Sequence, residues 1–235
     1  MNVKTKGIVL KNTNYSESSI ISKIYTRDLG LKTYMLRGVR KGKSKIRLSM
    51  IQPLSVVEMD VYQRPNSTFS TIRDLRNSPV LFDIHDSILK KSIALFMIEV
   101  LNQCLQEEEP DEILFYFLER QIIFLDQHPL DNTFPLKFLL KLSKYLGVQP
   151  IGKYSEITPF FSIEAGGFVS QLGEDSASEK ISKMISSALH SETNLLPVSR
   201  DNRKEALLLI IKFYQYHITR NKKIKSVNIL SELLN

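Results

Sequence analysis

The sequence predicts an α+β protein of two domains: a five-stranded OB-type β-barrel at the N-terminus, then an all-α helical domain carrying a small irregular hairpin insertion. Three observations predict it. Short segments alternating every second residue fill the chain up to Pro79, the hydrophobic period becomes helical beyond it, and residues 148–175 follow neither period. The domains are therefore set at 1–79 and 80–235, with the insertion at about 148–175.

Five segments read as strands: KGIVLKN (6–12), SSIISKIYT (18–26), KTYMLRG (32–38), MIQPLSVVEMDVYQ (50–63) and STFSTIRDL (67–75). NTNYSES, RDLG and RPNS supply the turns between them. A Greek-key barrel of the OB type is the commonest closure for so short a set, and an SH3-like barrel is the rival that periodicity leaves open.

Helical spacing then runs from Ile84 to Leu105 and ends near Pro110. A second helix is expected over 111–127, with acids in its first turn opposing the positive end of the dipole. A third, over 135–146, opens on Pro135 and closes on Gly147, with Lys137, Lys141 and Lys144 on one face. FFSIEAGGFVS (160–170) reads as two short strands turning at AGG. Ser176 and Glu179 fit a capping box for a helix reaching about His190. A long helix over 200–220 and a short C-terminal one, SVNILSELL, complete the chain.

Charge is unevenly placed. Residues 1–80 carry fifteen Lys/Arg against five Asp/Glu, a net of +10, whereas 81–235 carry seventeen against twenty, a net of −3. A polyanion-binding surface in the first third is expected. The longest apolar run, LLLII at 207–211, is far short of a membrane span, and no signal or lipidation motif is evident. A cytoplasmic protein without membrane partners is expected. The single cysteine, Cys104, reads as a buried helix residue.

Catalytic signatures are missing. There is no GxxxxGK[ST], GxSxG, HExxH or CxxC, and His85, His128, His190 and His217 are scattered. Glu107, Glu108, Glu109, Asp111 and Glu112 lack the spacing of a calcium loop and read as a solvated connection. A binding protein is expected rather than an enzyme, with no cofactor and no metal.

The sharpest candidate site is RGVRKGKSKIR, 37–47, with six cations in eleven residues. OB barrels hold single strands by a positive groove plus stacking aromatics. Lys32, Arg37, Arg40, Lys41, Lys43, Lys45 and Arg47 supply the cations. The aromatics on or beside strands are Tyr15, Tyr25, Tyr34, Tyr62 and Phe69, and Tyr34 is the one assigned to the site. Gly38 and Gly42 let the loop backbone approach a phosphate.

The same residues carry a family resemblance. KGIVLKNTNYSESSIISKIYTRDLGLKTYMLRGVRKGKS resembles the opening of the RecO family of bacterial DNA repair proteins: a K-x-I-V-L start, a Y-x-E-S turn, an F/Y-T-x-x-x-G segment and an R-G-x-R/K-x-x-x-S loop. IQPLSVVEMDVYQRPNSTFSTIRDLR (51–76), FSIEAGGFV (161–169) and YQYHITRNKKIKSVNILSELL (214–234) resemble its later features in the right order. The resemblance implies an N-terminal OB fold, a helical C-terminal domain and a nucleoid-associated recombination mediator. Such a protein binds single- and double-stranded DNA and anneals complementary strands. With RecR it helps load RecA on DNA coated by the single-stranded-DNA-binding protein, whose acidic C-terminal tail the helical domain receives. Lys137, Lys141, Lys144, Arg200 and Arg203 are candidates for holding that tail. Many relatives bind zinc through four cysteines around the F-x-x-E-x-G-x-F region; residues 147–175 have none, so packing alone is expected to hold this subdomain. An RNA-binding OB protein associated with the ribosome or translation is the alternative function.

Overall fold

The computed structural model describes residues 2–42, 44–62, 69–105, 109–190, 199–219, 222–227 and 230. Strand follows strand up to Asn77 and helices follow, and the chain packs as two compact units. They are Met1–Pro129 and Leu130–Asn235.

The first unit is built on β1 (Asn2–Asn14), β2 (Ile20–Thr26), β3 (Gly30–Leu36), β4 (Val56–Tyr62) and β5 (Thr71–Asn77). The antiparallel order is β3-β2-β1-β4-β5. A parallel bridge from Tyr34 to Ser70 joins the two edges, with Ser70 N–H on the Thr33 carbonyl at 3.3 Å. Long β1 pairs with β4 through its first half and β2 through its second, which closes an OB-type barrel rather than an SH3-like one. Val9, Ile24, Tyr34, Leu36, Val57, Met59, Val61 and Leu75 are buried in its core.

The strand ends differ from expectation, most at β4 and β1. β4 begins only at Val56, because Leu48–Ile51 forms a 3-10 turn first. β1 is longer than the apolar run KGIVLKN because its polar ends pair as edge extensions of both neighbours.

Three helices complete this unit: α1 (Asp83–Asp86), α2 (Ile88–Cys104) and α3 (Glu112–Gln127). The single helix expected over 84–105 is thus broken in two. Ser87 adopts an extended backbone and its side chain accepts the Lys90 N–H, capping α2. Buried Lys90 donates to the Asp83 carboxylate at 2.9 Å and the Asp126 carbonyl at 2.7 Å, tying α1, α2 and α3 together. Asp111 caps α3 by accepting the Leu114 N–H, so one member of the acidic cluster is a helix cap; Glu107 and Glu108 lie outside the described residues. Lys6 on β1 pairs with Glu119 on α3 at 2.8 Å, and Asn102 on α2 donates to the Leu10 carbonyl.

The second unit holds α4 (Phe134–Tyr145), the hairpin β6 (Phe160–Ser162) and β7 (Gly167–Val169), α5 (Glu179–His190) and α6 (Arg200–His217). The C-terminal helix falls mostly outside the described residues. Helix α5 starts later than the capping box at Ser176 predicts. Ser176 Oγ accepts the Gly173 N–H instead, and the first helical bond is Ser182 N–H to the Ser178 carbonyl.

The hairpin, with no cysteine, is held by more than packing. Phe161 is fully buried against Phe168 and Phe213. The Asp175 carboxylate accepts the Glu164 N–H and the Ser162 hydroxyl, each at 2.7 Å. Ser182 Oγ accepts the Phe161 N–H, and His217 Nε2 donates to the Ile163 carbonyl at 2.7 Å.

Candidate nucleic-acid interface

The cationic run leaves β3 at Leu36 and forms the start of the connection to β4. Two apolar residues pin it. Val39 and Ile46 are 4% and 7% exposed and belong to the barrel core. Between and beside these pins Arg37, Arg40, Lys41, Lys45 and Arg47 are all exposed, while Lys43 lies outside the described residues. Gly38 and Gly42 have φ of 74° and 66°, a left-handed conformation that favours glycine. A Cβ at Gly42 would meet open space, so this glycine is required by its turn and not by crowding. Val39, Gly42, Ser44, Ile46, Leu48 and Ser49 line a shallow concavity together with Arg40, Lys45 and Arg47.

Two of the cations are engaged within the protein. Arg40 Nη1 donates to the Ser16 carbonyl at 2.8 Å and its backbone N–H to Ser18; Lys41 pairs with Glu17 at 2.9 Å. The cationic loop therefore braces the β1–β2 turn, whose own geometry is set by Tyr15 and Ser16 N–H groups on the Ser19 carbonyl. Lys32 is half-buried on β3, opposite Ile24.

Tyr34 requires correction. Its ring is fully buried in the barrel core, and burial pushes its phenol pKa up. A residue with no exposed face offers no platform to a base. Tyr15, in contrast, is 59% exposed.

Lys11 and Lys23 lie outside the cationic run. They face each other across β1 and β2, with no acidic partner among the described residues. Burial, and then the neighbouring charge of Lys11, lowers the Lys23 pKa. Three other barrel cations are paired with acids: Arg76 bonds Glu58, Lys6 bonds Glu119 and Arg27 bonds Asp28. The strand period, applied to both partners of the first hairpin, is the signal that would have found the lysine pair.

The tail candidates separate in the second unit. Arg200 and Arg203, with Lys204, line a small pocket whose apolar wall is Leu136, Met184 and Leu207. Lys137, Lys141 and Lys144 are not among its lining residues; Lys137 instead pairs with Asp131 at 2.9 Å, and Lys141 and Lys144 are exposed on α4. His85, His128 and His190 are not gathered into any group that would hold a metal among the described residues.

Barrel, basic loop and trailing helices define an OB-fold protein with a helical C-terminal part. Two family models cover nearly the whole chain: recombination protein O N terminal matches residues 1–78, and recombination protein O C terminal matches 85–226. The DNA repair protein RecO of Flavobacterium johnsoniae is 34% identical over 99% of both chains, and those of Flavobacterium psychrophilum and Christiangramia forsetii are each 31% identical over 99% of both. The chain belongs to the RecO family, and its role is in DNA repair and recombination. No helix of the described residues is long and apolar enough to cross a membrane.

Proposed function

We propose that this protein is a recombination mediator that binds single- and double-stranded DNA and anneals complementary strands. With RecR as partner, it helps load RecA where the single-stranded-DNA-binding protein coats the DNA. It acts by binding alone, in the bacterial cytoplasm at the nucleoid. The observation that carries the reading is the cationic loop. Five exposed cations, Arg37, Arg40, Lys41, Lys45 and Arg47, stand on a connection fixed by Val39 and Ile46. Phosphates meet such a surface without regard to sequence, as strand annealing requires.

The small pocket of the second unit supports the reading that the partner tail binds there. An acidic, apolar peptide end would set its side chain against Leu136, Met184 and Leu207 and its carboxylates toward Arg200, Arg203 and Lys204.

The deciding experiment is annealing of complementary oligonucleotides, bare and coated with the single-stranded-DNA-binding protein. Wild type accelerates both, and a variant with Arg37, Lys45 and Arg47 changed to Ala accelerates neither. Equal annealing by the two proteins would remove the loop from the mechanism. Competition with RNA of equal sequence addresses the RNA-binding alternative, which requires RNA to displace DNA. Arg200→Glu should abolish binding of the tail peptide while leaving annealing of bare strands intact.

A further inference from the structure

The outer face of the first hairpin combines two features that the cationic loop does not explain. Lys11 and Lys23 are directly opposed, an arrangement that costs stability when nothing anionic lies between them. Beyond the strand irregularity at Val9/Lys11, alternation places Lys11 and Thr13 on one face of β1, Tyr15 follows directly after the strand's end, and all three are exposed. Tyr15 is held by its backbone bond to Ser19, and the adjoining Ser16 and Glu17 are held by Arg40 and Lys41. An exposed ring on a braced turn loses little freedom on stacking.

We propose that this face is a single-strand track, in which a phosphate of single-stranded DNA bridges Lys11 and Lys23 and an unpaired base stacks on Tyr15. The track rests on the DNA-binding reading above and extends it by separating single strand from duplex. The loop cations meet the backbone of either form, whereas a base inside a duplex has no free face for Tyr15. Arg40 and Lys41 act here as positioning residues for the turn.

The chain contains no tryptophan, so Tyr15→Trp introduces a sole indole reporter. Titrating it with an oligothymidylate should quench its emission to saturation, in step with binding measured by anisotropy of labelled DNA. Tyr15→Ala should weaken single-strand binding about five- to 150-fold, the range expected for one lost stack, and leave duplex binding unchanged. Tyr15→Phe should bind like wild type. Changing Lys11 and Lys23 together to Gln removes that one phosphate contact and should lower the single-strand log–log salt slope by about 0.7. Unchanged indole emission at saturating DNA, or equal losses on both DNA forms in Tyr15→Ala, would overturn the track while leaving the parent reading in place. Failure of wild type to bind either form at low salt would overturn both.

Discussion

Changing Arg37, Lys45 and Arg47 together to alanine removes three exposed cations that have no acidic partner among the described residues. Arg40 and Lys41 differ, because the Ser16 carbonyl and the Glu17 carboxylate already occupy them. Each phosphate contact on a single strand contributes about 0.7 to the log–log dependence of affinity on salt, so the triple variant should lose about 2 from that slope. At about 0.1 M salt this corresponds to roughly 100-fold weaker binding, with the two proteins converging toward about 1 M. Changing Arg40 and Lys41 to alanine exchanges one set of contacts for another and should lower the slope by less than about 0.7. The assay is anisotropy of a labelled oligonucleotide across a salt series. A double variant that loses as much slope as the triple variant would refute the division between bracing and binding cations.

Three further outcomes are expected. A Cβ at Gly7 would approach Ile24 Cγ2 to 2.6 Å and Met59 Cε to 2.8 Å, so Gly7→Ala should destabilise the barrel by about 1–3 kcal/mol, read as a lowered thermal midpoint. The Asp175 carboxyl is held below its ordinary pKa by the Glu164 N–H and then by the Ser162 hydroxyl. Its contribution is therefore present above the unfolded value of about 3.9 and lost as pH falls through the lower folded one. The midpoint advantage of wild type over Asp175→Asn should accordingly shrink from pH 5 to pH 3. Burial pushes the Cys104 thiol pKa up to about 12, so a disulfide reagent at pH 8 should modify it slowly in the native protein and rapidly in guanidinium; equal rates would contradict that burial.

The barrel was legible because its strands alternate between turn residues, and the helices because their apolar spacing is long. What the sequence concealed was which side of each strand faces out. Ile8, Val9 and Leu10 are all fully buried, although successive side chains of a strand point in opposite directions. Val9 joins the barrel core, whereas Leu10 passes its carbonyl to Asn102 on α2. The register then shifts between Val9 and Lys11, so alternation counted from Lys6 loses its phase before Tyr15. Alternation counted along the strand therefore does not separate buried Tyr34 from exposed Tyr15. The helix break at Ser87 and the late start of α5 have a related cause: serine hydroxyls bond nearby N–H groups in more than one way, and the spacing alone does not say which.

Val39 and Ile46 also set a scale. An unanchored cationic segment adapts its charges to whatever lies near it, like a brush. With its two apolar residues sunk in the barrel, this loop presents Arg37, Lys45 and Arg47 at fixed intervals, like marks on a ruler. On the DNA-binding reading proposed above, the intervals between backbone phosphates matter to this loop, and shortening Ile46 to alanine would blur the marks without removing a single charge.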